Sequence, residues 1–335
     1  MKKHLFPKIF ALTAMSLSIG LSLGILHHQE NRPMEMTHAE TVAQYYSGVT
    51  DDMSGNTLKS KLNSINNSHR KKTMGYKQHR YYYQYTERLS DTPSGKMYSF
   101  YTNTYINSTW DNQETWNHEH VWPKSKGGDS VDPDIHMVRP ASVKINSERG
   151  NSAYAASGGY DPGQYVKEYR GVAARILFYC AIANTSLSLP DSLSGAGKLS
   201  DLLKWNLEYL PKNENDTSAN IALRVEYHRN ETIFSRSDLQ GNRNPFIDHP
   251  EYACRIWGDT NATTKEICKK NVPVEPDTPD TSEVTPEDNT PENNEHKSVT
   301  LEPWQIGLII AGGIIAVGAI TAVVVIIVIR KKRGH

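Results

Sequence analysis

The sequence predicts an α+β fold, with a mainly helical body around a small sheet, followed by a C-terminal transmembrane helix. Apolar residues recur at helical spacing in five segments: 39–46, 55–65, 170–185, 199–210 and 219–236. Strand signals are fewer. Lys96–Tyr105 is rich in aromatic and β-branched residues, and Asn117–Val121 runs into a turn at Pro123. Ile306–Ile329 has neither charge nor proline, and a helix of that length spans about 36 Å, enough to cross a bilayer.

The two ends predict an exported body on a membrane anchor. Residues 1–39 combine early lysines with an apolar run, as a secretory signal peptide does; an uncleaved anchor is the alternative. Basic residues 330–335 follow the predicted span 304–329 and should stay in the cytoplasm. Between them and the body, residues 269–303 are acidic and rich in Pro and Thr, which predicts a disordered stalk. The body, 40–268, is therefore expected outside a bacterial cell membrane, on a single-pass helix.

Charge and cysteine content limit the function classes. The chain carries 37 basic and 37 acidic residues, so it is not a basic nucleic-acid-binding domain. If it binds nucleic acid, a local cationic groove or a metal must supply the attraction. Of three cysteines, Cys180 lies in an apolar run that predicts a buried thiol. Cys254 and Cys268 have a spacing that permits a disulfide but does not require one.

Polar chemistry is concentrated between Trp116 and Asn151. Hydrolysis of a phosphodiester needs a base, a cation for the developing charge and a proton for the leaving oxygen, which a histidine and one hydrated Mg²⁺ can supply. Oxygen-bearing side chains such as Glu119 and Asn146 suit Mg²⁺ or Ca²⁺ better than Zn²⁺. In an ideal strand Glu119 and His120 face opposite sides, so both reach one site only if the strand is irregular or Val143–Asn151, a predicted helix start, folds over it.

Four segments of the body stand out together: WNHEHVWPKS, PDIHMVRPA, VKINSERGN and QGNRNPFIDHPEYA. In order and spacing they resemble the endonuclease I family of bacterial secreted and periplasmic nucleases, over about Tyr45–Trp257. The resemblance implies a ββα-metal (His-Me finger) motif, with His120 as general base and Glu119 and Asn146 as ligands of Mg²⁺, or of Ca²⁺ or Mn²⁺. It also implies nonspecific cleavage of DNA, often of RNA too, to 5′-phosphates.

Further residues of these segments have weaker assignments. The family usually has arginine where this chain has His118, a departure from the family pattern. His118 is predicted either to contact phosphate when protonated or only to shape the strand. Arg149 is predicted either to stabilise the transition state or to pair with nearby acids. Residues predicted to orient the site or touch substrate are Asp132, Asp134, His136, Asn151 and Arg243, the last with loop-fixing hydrogen bonds as its alternative role.

Two other functions remain open at this level. A zinc hydrolase built on His118, His120 and His136 lacks an HExxH or cysteine–histidine spacing. A non-catalytic adhesin would need only the stalk and anchor, and it leaves the Glu119–His120–Asn146 arrangement unexplained. The predicted partners are nucleic acid and the lipid bilayer, and no protein partner is indicated.

Overall fold

The structure is a computed structural model that describes residues 40–269. These residues all fall in the first of the two units into which the chain divides, Met1–Val274. No helix within the described range is long and apolar enough to cross a membrane. The predicted signal, transmembrane helix and cytoplasmic tail, and nearly all of the predicted stalk, lie outside the described residues.

Helices and two small antiparallel sheets make up the body, so the α+β prediction is confirmed at that level. The helices are α1 Val42–Tyr45, α2 Gly55–His69, α3 Tyr83–Thr86, α4 Val143–Arg149, α5 Tyr169–Ala183, α6 Leu199–Glu208, α7 Ile221–Ser235, α8 Pro245–Asp248, α9 Tyr252–Trp257 and α10 Ala262–Lys269. The strands are β1 Lys96–Tyr98, β2 Tyr105–Asn107, β3 Trp116–His120 and β4 Val138–Ser142. Short 3₁₀ turns lie at Tyr76–Tyr81, Lys124–Lys126 and Gly128–Val131.

Helix α5 is the centre of the core. The sequence predicts one inward stripe on this helix, but nearly every residue is buried because α2, α6, α7 and α8 all pack around it. Its single buried cation, Arg175, is held by a bidentate pair with Glu226 in α7, with N–O distances of 2.8 and 2.6 Å. A buried charge is tolerable only with such a partner, so this pair fixes α5 against α7.

Strands β3 and β4 and helix α4 form a continuous unit that carries most of the candidate site. The two strands are antiparallel, with Glu119 opposite Arg139 and His120 opposite Val138. Ser142 ends β4 and caps α4 by accepting the N–H of Ile145 at 3.4 Å. The predicted strand entering a turn and the predicted helix start are therefore both confirmed.

Two predicted elements are wrong in part. Lys96–Tyr105 is not one strand but a hairpin, because Tyr101 and Asn103 adopt left-handed backbone conformations (φ 78° and 56°) that turn the chain. The segment after α7, predicted as a loop, contains α8. Asn244 caps this helix by accepting the N–H of Phe246 at 3.0 Å, and the proline that follows Asn244 fits the first helical turn.

The cysteine question is settled by the structure. Cys254 in α9 and Cys268 in α10 form a disulfide that ties the last helix to the body. Cys180 is a buried free thiol in α5, as its apolar surroundings predict.

Candidate active site

Glu119 is a fully buried carboxylate on β3. The hydroxyl of Tyr101 donates to its Oε1 at 2.7 Å, and that of Tyr154 donates to the same oxygen at 3.4 Å. Burial, and then the charge of Glu119, raise the pKa of Tyr101, so this phenol keeps the proton that it donates. Oε2 has no hydrogen-bond partner among the described residues. Because an unpaired buried carboxylate oxygen is costly, Oε2 is the atom best suited to a bound cation.

Asn146 on α4 is anchored to the same strand. Its Nδ2 donates to the Asn117 side-chain oxygen at 2.7 Å and to the His118 carbonyl at 3.2 Å. Its Oδ1 accepts no hydrogen bond from any residue in the range 40–269. The described residues therefore leave unpaired the two hard oxygen donors, Glu119 Oε2 and Asn146 Oδ1, that a Mg²⁺-type site would use.

His120 has a different environment from Glu119. Its Nε2 forms a hydrogen bond with Oδ1 of Asp132, and its ring lies 4.9 Å from that of Tyr76 between centroids. Burial lowers the pKa of His120, while Asp132 counteracts part of that effect, so the ring is neutral at neutral pH. Since a carboxylate can only accept, Nε2 carries the proton and Nδ1 carries the lone pair. The strand is regular, and its two acid–base side chains contact different partners.

Arg149 connects α4 to the end of β3. Its guanidinium donates to the carbonyls of His120, Val121 and Gly150 at 3.1, 2.8 and 3.0 Å. Its Nε lies 3.5 Å from Glu119 Oε1, and the side chain is 1% exposed. Helix α4 thus folds over the strand as the sequence requires, through a buried arginine that pairs with the acid, one of the two roles predicted for it.

His118 lies in an aromatic cage. Its ring is packed among Tyr76, Tyr83, Trp110 and Trp116, with centroid distances of 4.7–6.2 Å. Burial, reinforced by His79 and His120, lowers the pKa of His118 to about 3. A neutral ring cannot make the ionic phosphate contact that its position would offer an arginine, so the geometry favours the strand-shaping alternative.

Asp134 and His136 hold the segment that leads into β4. Asp134 accepts from Arg70, from Tyr179 at 2.7 Å, from Gln240 at 3.0 Å and from the backbone N–H of His136 at 2.9 Å. Burial alone would raise the pKa of Asp134, but Arg70 and the other donors lower it to about 2. His136 Nε2 contacts the carbonyl of Asn242 at 3.2 Å, which ties this segment to the chain after α7.

Two weaker candidates lie in different settings. Arg243 is buried and pairs with Asp248 at 2.7 and 2.8 Å and with Glu231, while its backbone N–H donates to Tyr45. These contacts match the loop-fixing role predicted as its alternative. Asn151 is exposed just beyond Gly150, the residue at which α4 ends.

Sequence reasoning missed the tyrosines around the site. Tyr101 and Tyr154 orient Glu119, and Tyr76 packs against both His118 and His120. The aromatic run containing Tyr101 predicts strand packing, and nothing local to it indicates a contact with residue 119. Only the tertiary fold reveals these tyrosines.

The three histidines of the zinc alternative do not converge. Within residues 40–269 no three His, Cys, Asp or Glu side chains form a group able to hold a metal ion. His118 lies in its aromatic cage, His120 pairs with Asp132, and His136 contacts Asn242.

Comparison with known proteins defines the class of molecule. The family model for endonuclease I matches residues 54–251. The chain belongs to the endonuclease I family, and the predicted family and nuclease class are thereby confirmed.

Two relatives of this chain are named as extracellular ribonucleases. An extracellular ribonuclease of Bacillus amyloliquefaciens is 40% identical over 169 residues, which are 42% of this chain and 54% of the relative. An extracellular ribonuclease of Bacillus subtilis (strain 168) is 35% identical over 242 residues, 64% of this chain and 78% of the relative. The chain thus spans about half the length of the first and over three quarters of the second. No solved structure matches.

Proposed function

We propose that this chain is a membrane-anchored, extracellular, Mg²⁺-dependent endonuclease that cleaves DNA and RNA without sequence preference and leaves 5′-phosphates. Family membership supports nucleic acid as the substrate. The names of the two relatives add ribonuclease activity and secretion as properties to test here. Anchorage at a bacterial cell membrane rests on the predicted signal peptide, stalk and transmembrane helix.

The observation that carries the proposal is the pairing pattern around β3. Glu119 Oε2 and Asn146 Oδ1 are left without partners by the described residues, while the other polar atoms of these two side chains are held. Buried polar atoms in a core have their hydrogen bonds satisfied, so the unpaired Glu119 Oε2 favours a ligand-binding role. Asn146 is only partly buried, and its amide oxygen, which the described residues leave free, lies on the helix that folds over the same strand. A divalent cation bound to these oxygens would polarise the scissile phosphate and stabilise the charge that develops on it.

His120 is the proposed general base. With Nε2 donating to Asp132, the unprotonated Nδ1 takes a proton from the attacking water as the water oxygen bonds to phosphorus. The bond from phosphorus to the 3′ oxygen breaks, and that oxygen leaves with a proton from solvent water, so the phosphate stays on the 5′ side. Asp132 fixes both the orientation and the tautomer of the imidazole, and it stabilises the imidazolium that forms. Tyr101 and Tyr154 hold the Glu119 carboxylate by one oxygen, which leaves the other to its ligand.

Cleavage assays with supercoiled plasmid and structured RNA, side by side, test this function. The purified chain should cut both substrates with Mg²⁺ and neither with EDTA. The variant His120→Ala should lose nearly all activity, whereas His249→Ala, a partly exposed histidine at the end of α8, should retain it. Full activity in His120→Ala would refute the assignment of the base.

The same assay separates the alternatives. Activity restored by Zn²⁺ but not by Mg²⁺ would favour the zinc hydrolase, and the absence of any cleavage would favour the adhesin. Protease treatment of intact cells that releases the folded body, while a tail epitope stays with the membrane fraction, is the expected result for the proposed topology. A body that resists release from intact cells would contradict it.

A further inference from the structure

A cavity of about 340 Å³ opens beside the candidate active site. Its lining comes from the 3₁₀ turn at Tyr76–Tyr81, from the loop before β3, and from β3 itself. The residues that matter here are Tyr76, Arg80, Trp110, Asn112, Gln113 and His118. Its volume is at the lower end of the range typical of small-molecule sites, about 300–1,000 Å³.

Two aromatic rings and a cation form the walls. Tyr76 and Trp110 line the cavity, and both side chains are only partly buried. The guanidinium of Arg80 lies 5.2 Å from the centroid of the Trp110 ring. Aromatic faces with an adjacent arginine are the surface on which single-stranded nucleic acid stacks its bases.

The loop before β3 is held in an unusual conformation at the mouth of this cavity. Asn112 and Gln113 both have left-handed backbone angles, φ 58° and 72°, although neither is glycine. Asp111 maintains the turn by accepting the backbone N–H groups of Glu114 and Thr115 at 3.2 and 3.0 Å. Strain of this kind concentrates at functional sites, and here it leaves two exposed amides, each able to donate and to accept hydrogen bonds.

His118 adds hydrogen-bonding capacity that the protein does not use. This residue lines the cavity and is 8% exposed, and its Nε2 has no hydrogen-bond partner among residues 40–269. A buried imidazole nitrogen normally has a partner, so an incoming polar edge is favoured next to this ring.

The cavity adjoins the proposed base through Tyr76, which lines it. Tyr76 packs against His118 at 4.7 Å and against His120 at 4.9 Å between ring centroids. A group in the cavity would therefore lie close to the proposed base.

We propose that this cavity is a subsite for one unpaired nucleobase next to the scissile phosphate, and that single-stranded nucleic acid is the preferred substrate class. A base in an intact duplex has its edge paired and its faces stacked, so it cannot enter without being extruded. The subsite deepens the proposed nuclease function and rests on it.

Binding of fluorescent oligothymidylate of about ten nucleotides to the full chain in EDTA tests the subsite without cleavage. The comparison is an oligonucleotide with the same phosphates in which abasic residues replace the central bases. The native chain should bind the intact strand at least about fivefold more tightly, the lower limit of measured base–aromatic stacking. Equal affinities would overturn the proposal, and this comparison requires no variant to fold.

Three variants test whether the cavity causes the tighter binding of the strand with intact bases. Trp110→Ala should abolish it and Trp110→Phe should retain it. Tyr105→Ala removes an exposed ring outside the cavity and should change nothing. A preference that survives Trp110→Ala in the folded variant would also overturn the proposal. Cleavage with Mg²⁺ is scored separately: a chain that cuts but binds both strands equally refutes only the subsite, and one that prefers bases but never cuts refutes the nuclease.

Discussion

Replacing Arg149 with methionine should strongly destabilise the body in the absence of metal. The substitution keeps an apolar stem but leaves the buried Glu119 carboxylate without the arginine that pairs with it, 3.5 Å away. It also removes the donors for three carbonyl groups at 2.8–3.1 Å. Breaking one side of a buried ion pair costs about 3–5 kcal/mol, a large share of the ~5–15 kcal/mol that stabilises a typical domain.

Urea unfolding followed by tryptophan fluorescence, in EDTA, measures this effect. The double variant Arg149→Met/Glu119→Gln should lose less free energy of unfolding than the two single losses combined, because the unpaired charge is gone. Lys265→Met serves as control, since it breaks an exposed pair with Asp259 and should cost under about 1 kcal/mol. A loss below about 1 kcal/mol for Arg149→Met would refute the structural role assigned to this arginine.

Three further predictions concern the site and its support. Asp132→Asn should lower kcat about 10²- to 10⁴-fold, with little change in KM. The reason is that an amide can donate to Nε2 of His120, which would move the ring proton to Nδ1 and remove the lone pair that the base needs. A kcat near that of the native chain would contradict this. Burial lowers the pKa of His79 and of His136 to about 4. Both are neutral when folded and protonated when unfolded below about pH 6.5, so each should cost about 2 kcal/mol of stability between pH 7 and pH 5. Urea unfolding at the two pH values checks this, and a flat profile would contradict it. Replacing both cysteines of the disulfide by serine should lower the free energy of unfolding by about 3 kcal/mol, given the 14-residue separation, while thiol titration of the unreduced, denatured native chain should find one free thiol. Unchanged stability in the double variant would contradict this estimate.

Sequence patterns predict most of the scaffold because the spacing of apolar residues in a long amphipathic segment indicates which of its faces is buried. Helices α2, α5, α6 and α7 follow apolar spacing, and β3 and α4 match the predicted strand that enters a turn and the predicted helix start at Val143–Asn151. The same patterns fail where single residues override propensity. The left-handed angle at Tyr101 converts a predicted strand into a hairpin, and Asn244 starts a helix in a predicted loop.

The sequence predicts only part of the candidate site, because the partners of its residues are distant in the chain. Glu119, His120 and Asn146 stand out by residue type and spacing, and the family comparison supports the segments that contain them. Their partners do not stand out, because Tyr101 and Tyr154 meet Glu119 through the tertiary fold. The same limit applies to Arg149: its charge is visible in the sequence, but its three carbonyl contacts depend on how α4 crosses the end of β3.

The Mg²⁺ dependence of kcat in the native chain, Glu119→Gln and His120→Ala tests the central claim most directly. Glu119→Gln should need at least about tenfold more Mg²⁺ for half-maximal activity, because a ligand oxygen has lost its charge. His120→Ala should keep the native Mg²⁺ midpoint and lose about 10²- to 10⁴-fold in kcat, because only the base is missing. A native midpoint in Glu119→Gln, or a native kcat in His120→Ala, would contradict a nuclease centre built on this pair.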